Sequence, residues 1–180
     1  MRANLFRSLP ILLSVVCAGC ATLPSGPPPT GMKFREAYGA AFGGGLHAGL
    51  DLDVPVGSPV RAMADGTVML AEVTNLRGIR TPTVRIRYDE GGYISVYLHI
   101  DDIAIKNGDR VKRGDIVAKT AMTGPAGINT TSPVTYPHLH LEIHDSNVGG
   151  PIDPLRLQMT CPDQGGPFWY PVGCYGAAKP

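Results

Sequence analysis

Residues 84–98 read VRIRYDEGGYISVYL, and this stretch decides the fold. Val84, Ile86 and Tyr88 alternate with Arg85 and Arg87, so one side is apolar and the other charged. Successive side chains of a strand point to opposite faces, so the alternation predicts a strand with one wet face. Asp89-Glu90-Gly91-Gly92 is a hairpin turn signal, and residues 93–98 return as the next strand. Further out, residues 67–73 form another candidate strand, Val111 and residues 116–118 flank a Gly114-Asp115 turn, and residues 138–143 alternate again. Turn formers are abundant, with 23 Gly and 17 Pro, and no helix-period stretch of useful length occurs. The expectation is an all-β, antiparallel domain.

Residues 56–68 (VGSPVRAMADGTV) and 107–117 (NGDRVKRGDIV) echo each other, each placing a Gly-polar turn before a valine. Both resemble the strand-turn units of barrel-sandwich folds, including biotinyl and lipoyl carrier domains. A carrier needs one modifiable lysine on a tight hairpin, and no lysine stands at such a tip here. The 180 residues suffice for one domain with a real core. A hydrophobic content of 43% excludes a disordered chain, and a near-balanced net charge of +1 argues against a nucleic-acid reader.

The first residues read as a targeting signal. Arg2 and Arg7 precede an apolar run, residues 9–16, that is too short to span a membrane. Val16-Cys17-Ala18-Gly19-Cys20 resembles a lipobox, although Cys17 stands where leucine is typical; the rival is ordinary cleavage after Ala21. The lipobox reading makes residues 1–19 a signal peptide and Cys20 the lipidated residue, followed to residue 31 by a Pro-rich tether. The domain then spans residues 32–160, with a tail from 161 to 180. Cys161 and Cys174 are left over, and in an oxidising compartment they are expected to pair.

Chemistry concentrates in five histidines: His47, His99, His138, His140 and His144. His47-Ala48-Gly49-Leu50-Asp51 pairs an imidazole with a carboxylate in a Gly-rich loop, and His138-Leu139-His140 puts two imidazoles on one strand face. A His/Asp pair plus a third His is the three-ligand set of catalytic zinc, which leaves a position open for water. The helical His-Glu-x-x-His motif is absent, so no glutamate is expected beside the ligands to act as base. His99 and the unligated member of the His138/His140 pair are the candidates for proton transfer. Glu142 either orients an imidazole or forms a plain salt bridge, and His144 reads as a bland residue near a strand end.

His47-x-Gly49-x-Asp51, then Val56-Gly57-x-Pro59-Val60, Ala64-Asp65-Gly66-x-Val68, Tyr97-x-His99 and His138-Leu139-His140-x-Glu142 together resemble the M23 (LytM/lysostaphin-like) peptidases. The resemblance covers about residues 46–155. It implies a small antiparallel sheet of the hybrid sandwich type with a narrow active-site groove. One zinc would be held by His47, Asp51 and His140, with His99 and His138 as the catalytic pair. It further implies an endopeptidase acting on the stem peptides of bacterial peptidoglycan. The expected Cys161–Cys174 pair and the lipobox suggest a Gram-negative periplasm, where the bond would be the D-Ala–meso-diaminopimelate cross-link. The alternative is a non-catalytic regulator that activates a separate wall hydrolase. With the lipobox, the expected place is the outer membrane, attached through the lipid and facing the periplasm. Residues 123–136 form a longer approach to the His-x-His strand than the family shows, and Tyr136 stands where glycine is common. That loop is expected to border the groove.

Overall fold

Tight turns and alternating apolar residues give short strands that curl around one core. The computed structural model describes residues 34–42, 45–127, 131–161 and 166–173. In chain order the strands are β1 (Phe34–Glu36), β2 (Ala41–Phe42), β3 (Gly45–Leu46), β4 (Leu50–Leu52), β5 (Pro59–Arg61), β6 (Gly66–Leu76), β7 (Ile79–Tyr88), β8 (Tyr93–Leu98), β9 (Ile100–Asp101), β10 (Arg110–Val111), β11 (Ile116–Thr120), β12 (Leu139–Asp145) and β13 (Gly150–Ile152). A single 3₁₀ turn, Pro154–Leu157, follows, capped by the Asp153 side chain on Leu155 N. Among the described residues no helix is long and apolar enough to cross a membrane. The signal peptide, Cys20, the tether and Cys174 lie outside the described residues.

The large sheet runs β1-β4-β12-β8-β7-β6-β10, with β13 beside the far end of β12, and its neighbours pair antiparallel. A three-stranded sheet, β5-β11-β9, contributes Val60, Ile100, Val117 and Ala118 to the same buried cluster as Leu50, Leu52, Ile86 and Leu141. The apolar core therefore lies between two sheets, as the all-β sandwich reading requires.

The echoing segments interlock. β5 of the first pairs with β11 of the second, and β10 of the second pairs with β6 of the first. Their turns match as well: Gly57 has φ +82 and donates to Thr120 O at 2.8 Å, while Gly108 has φ +86 and donates to Val68 O at 2.9 Å. Glycine adopts this left-handed conformation at no steric cost, so the same turn is available twice.

The hairpin of β6 and β7 reaches further than residues 67–73 and 84–88 suggested. It turns at Arg77 (φ 54) and Gly78 (φ 85), the left-handed pair that a two-residue hairpin needs. Along its outer half β6 leaves the core and is exposed from Glu72 to Leu76. Alternation vanishes because neither face is buried there. Pro82 is tolerated in β7 because at that level β7 bonds only to β6, at Val73.

Candidate metal centre

Strand β12 presents two chemically different faces. Leu139, Leu141 and Ile143 are fully buried in the core, which sends His140, Glu142 and His144 to the opposite face. β4 does the same, with Leu50 and Leu52 inward and Asp51 opposite His140 in the register. Leu98 on β8 flanks His140 from the other side. His47 enters from the end of the β2–β3 hairpin. Its Nε2 lies 3.2 Å from Asp51 Oδ1 and 3.0 Å from His140 Nδ1, and His140 Nδ1 lies 2.8 Å from the same carboxylate oxygen.

Gly49 explains the spacing of the His47–Asp51 motif. A Cβ at this position would sit 2.5 Å from Leu141 O and 2.9 Å from His140 Cε1. Only glycine lets the chain between His47 and Asp51 pass this close to β12.

The two other expected histidines join the same place. His99, between β8 and β9, has φ 59, a conformation that residues with a side chain adopt reluctantly. Its ring centroid lies 4.4 Å from that of His138 and 6.0 Å from that of His140. His138 Nε2 is 3.5 Å from Asp51 Oδ2. The sequence-predicted set His47, Asp51, His99, His138 and His140 is thus brought together whole.

The outer ring nitrogens define the tautomers. Nδ1 of His47 meets Ala37 O at 3.0 Å, Nδ1 of His99 meets Thr123 O at 2.7 Å, and Nδ1 of His138 meets Tyr136 O at 3.0 Å. A carbonyl only accepts, so each of these Nδ1 atoms donates and each Nε2 carries the lone pair. His140 is reversed: Nε2 faces Glu142 Oε1 at 3.3 Å and Nδ1 points inward. His47 Nε2, His140 Nδ1 and Asp51 Oδ1 therefore converge, all within 4.8 Å of one another. A proton on His140 bridges it to Asp51 at 2.8 Å, and a divalent cation of zinc's size and ligand preference can take that proton's place. The donor set fits the expected metal.

Glu142 takes the first of its two expected places, against an imidazole, with Oε1 3.3 Å from His140 Nε2. It sits on the outer side of His140, and its second oxygen lies 2.6 Å from His144 Nε2. His144, read as bland, therefore anchors the carboxylate that faces His140. The common strand parity of residues 140, 142 and 144 was the available signal.

Burial opposes ionisation of Asp51, but hydrogen bonds from His140 and His47 outweigh it and hold the carboxyl well below its usual range. Burial also pushes His140 down, yet Asp51 and Glu142 together lift it to about 9. Two carboxylates that favour a positive imidazole at this point would equally favour a bound cation. His99 is pushed down to about 3 by burial, reinforced by His138. His138 is lowered by burial, partly opposed by Asp51. Both remain neutral near pH 7, the form needed to accept a proton.

The site opens into a groove of about 320 Å³. Its walls come from Leu76 and Thr81 of the β6–β7 arm, Leu46 of the β2–β3 hairpin, and residues 124–127 of the long approach loop. The loop borders the groove as expected, and no Lys or Arg lines it among the described residues.

Comparison with known proteins gives a consistent result. Residues 45–154 match the model of peptidase family M23. Glycyl-glycine endopeptidase ALE-1 of Staphylococcus capitis is 34% identical over 115 residues, 61% of this chain and 29% of the relative. Peptidoglycan DD-endopeptidase ShyB of Vibrio cholerae is 31% identical over 113 residues, 63% of this chain and 23% of the relative. The chain thus spans less than a third of the length of either. Among solved structures, the catalytic domain of lysostaphin from Staphylococcus simulans superposes with a TM-score of 0.53 at 28% identity, covering 69% of this chain and 90% of that domain.

Proposed function

Because the chain belongs to peptidase family M23, we propose that it is a zinc-dependent endopeptidase that hydrolyses the peptide cross-links of peptidoglycan, cutting D-Ala–meso-diaminopimelate bonds. The observation that carries this reading is the convergence of His47, Asp51 and His140 on one point, with the rings of His99 and His138 beside it. His47, Asp51 and His140 would hold the zinc. When bound, zinc supplies Lewis-acid chemistry, polarising a carbonyl oxygen and acidifying a water.

The chain's own residues supply positioning and proton transfer. His99 and His138 keep their protons on Nδ1, so Nε2 of each is available to accept a proton from the attacking water or return one to the leaving amine. Glu142 keeps Nδ1 of His140 turned inward. The groove walls exclude bulk and, lacking Lys or Arg, favour a slim, uncharged segment at the scissile bond. D-Ala is such a residue, and the resemblance to a peptidoglycan DD-endopeptidase supports the same class of substrate.

The lipobox-like residues around Cys20 support attachment to the outer membrane, facing the periplasm. A Cys161–Cys174 disulfide is proposed for the same compartment; Cys161 is buried at 4% exposure. The zinc-loaded protein should convert purified cross-linked muropeptide dimers to monomers, and the His138→Ala variant should not. Dimers left intact while the protein stimulates a separate wall amidase would replace the enzyme with the regulator. Cys20→Ser should abolish labelling by radioactive palmitate, and Cys161 and Cys174 should resist thiol trapping until reduced.

A further inference from the structure

The side chain at residue 136 distinguishes this site. The Tyr136 ring stacks on His138, with centroids 4.5 Å apart and planes at 28°. The same residue's carbonyl accepts the His138 Nδ1 proton at 3.0 Å. Tyr136 therefore controls both one face of the imidazole and one of its nitrogens. The ring of His99 meets His138 at 4.4 Å, tilted by 58°.

Tyr136 is itself held from outside. The Arg35 guanidinium lies over its ring, 4.2 Å from the centroid. Arg35 belongs to β1, which pairs with β4 so that Glu36 stands opposite Asp51. The nearest acid, Asp53, is 3.6 Å away, and both side chains are about two-fifths exposed (42% and 38%), a loose pair that leaves the guanidinium free to lie flat. Arginine prefers such a planar stack over an aromatic face. Arg35, Tyr136 and His138 thus form three layers, linking the strand beside a metal-ligand strand to the end of the approach loop.

We propose that Arg35 and Tyr136 form a clamp in which Tyr136 is a positioning residue for His138. The clamp keeps Nδ1–H on the carbonyl and turns Nε2 toward the groove. Its catalytic consequence rests on the endopeptidase reading above; its structural consequence does not. A glycine at residue 136 would still offer the carbonyl but would leave one face of His138 unsupported, so the ring could rock away from its productive angle.

The test combines nitrogen-15 spectroscopy of the histidine rings with kinetics on cross-linked muropeptides, using the zinc-loaded protein. Wild type should show His138 as one sharp Nδ1–H tautomer. Tyr136→Gly should keep its zinc yet show a broadened or mixed His138 signal, and kcat should fall about 10- to 100-fold with KM little changed. Tyr136→Phe, which retains ring and carbonyl, should restore the sharp signal and most of kcat. If Tyr136→Gly does not fold, Arg35→Met removes only the outer layer and should shift the His138 signal in the same sense. An unchanged, single His138 tautomer in Tyr136→Gly, or in Arg35→Met where the former does not fold, overturns the clamp. A wild type that shows the tautomer behaviour but cleaves nothing overturns the peptidase reading and leaves the clamp standing.

Discussion

At the scale of single residues, the proposed function divides the site into groups that would hold a cation and groups that would move protons. His47, Asp51 and His140 share one point, so losing any of them removes a ligand. His140→Ala should bind no stoichiometric zinc by metal analysis, whereas His99→Ala should keep it and lose about 10²- to 10⁴-fold in turnover. Zinc retained in the first variant, or full activity in the second, would reverse these assignments. Glu142→Gln should weaken zinc binding about 10- to 100-fold in a competition titration with a chelator, because the amide no longer offers a charged acceptor to His140. That His47, Asp51, His99, His138 and His140 belong together was legible in the sequence because imidazoles are few and their spacing is ordered. Glu142 and His144 were harder to place, since strand parity shows that they share a face and not that their side chains meet. The Arg35 layer over Tyr136 was not legible at all, because it depends on β1 packing beside β4, far away in the chain.

At the scale of elements, alternation along β12 accomplishes two tasks at once, burying three aliphatic side chains and displaying three polar ones. The reading of residues 84–98 as two strands and a turn held: residues 84–88 bury one face, and β8 buries Ser95, Val96 and Tyr97 in succession at its centre. The outer half of β6 escaped because a strand exposed on both faces leaves no periodic trace, and in β7 the buried pair Thr81 and Pro82 breaks the alternation. Close approach of β4 to β12 depends on Gly49. Gly49→Ala should push His140 off its ligand position, and calorimetric titration should find zinc affinity reduced even where the fold survives. An alanine variant with undiminished affinity would show that the strands separate without cost. The matched turns make a different prediction. At Gly57 and Gly108 nothing crowds a Cβ, so only the left-handed backbone opposes substitution. Each change to alanine should cost about 1–2 kcal/mol in urea unfolding, with metal binding unaffected.

At the scale of the whole molecule, phenol groups tie the two sheets together. Tyr88 Oη bonds Ser95 Oγ and Tyr97 Oη, each at 2.8 Å, and Tyr97 Oη donates to Arg61 O in β5 at 3.3 Å. Arg61 belongs to the small sheet and both tyrosines to the large one, so this cluster spans the core. Burial raises the pKa of Tyr88 and raises Tyr97 well above its ordinary value; it pushes Tyr170 up to about 12. In the unfolded chain these phenols titrate near about 10. Above that pH the unfolded state releases protons that the folded state keeps, so it binds fewer, and stability must fall as pH rises. The contribution is complete below the unfolded value and is lost as pH climbs toward the folded ones. The urea midpoint should therefore be insensitive to these tyrosines up to about pH 9.5 and decline steeply beyond it. Absorbance at the phenolate band gives an independent reading of the same equilibrium. Exposed tyrosines should ionise first, and the buried set only together with loss of the folded signal. Complete phenolate formation near pH 10 in a protein that remains folded would mean that Tyr88 and Tyr97 are reached by solvent, and the two sheets would then need another tie.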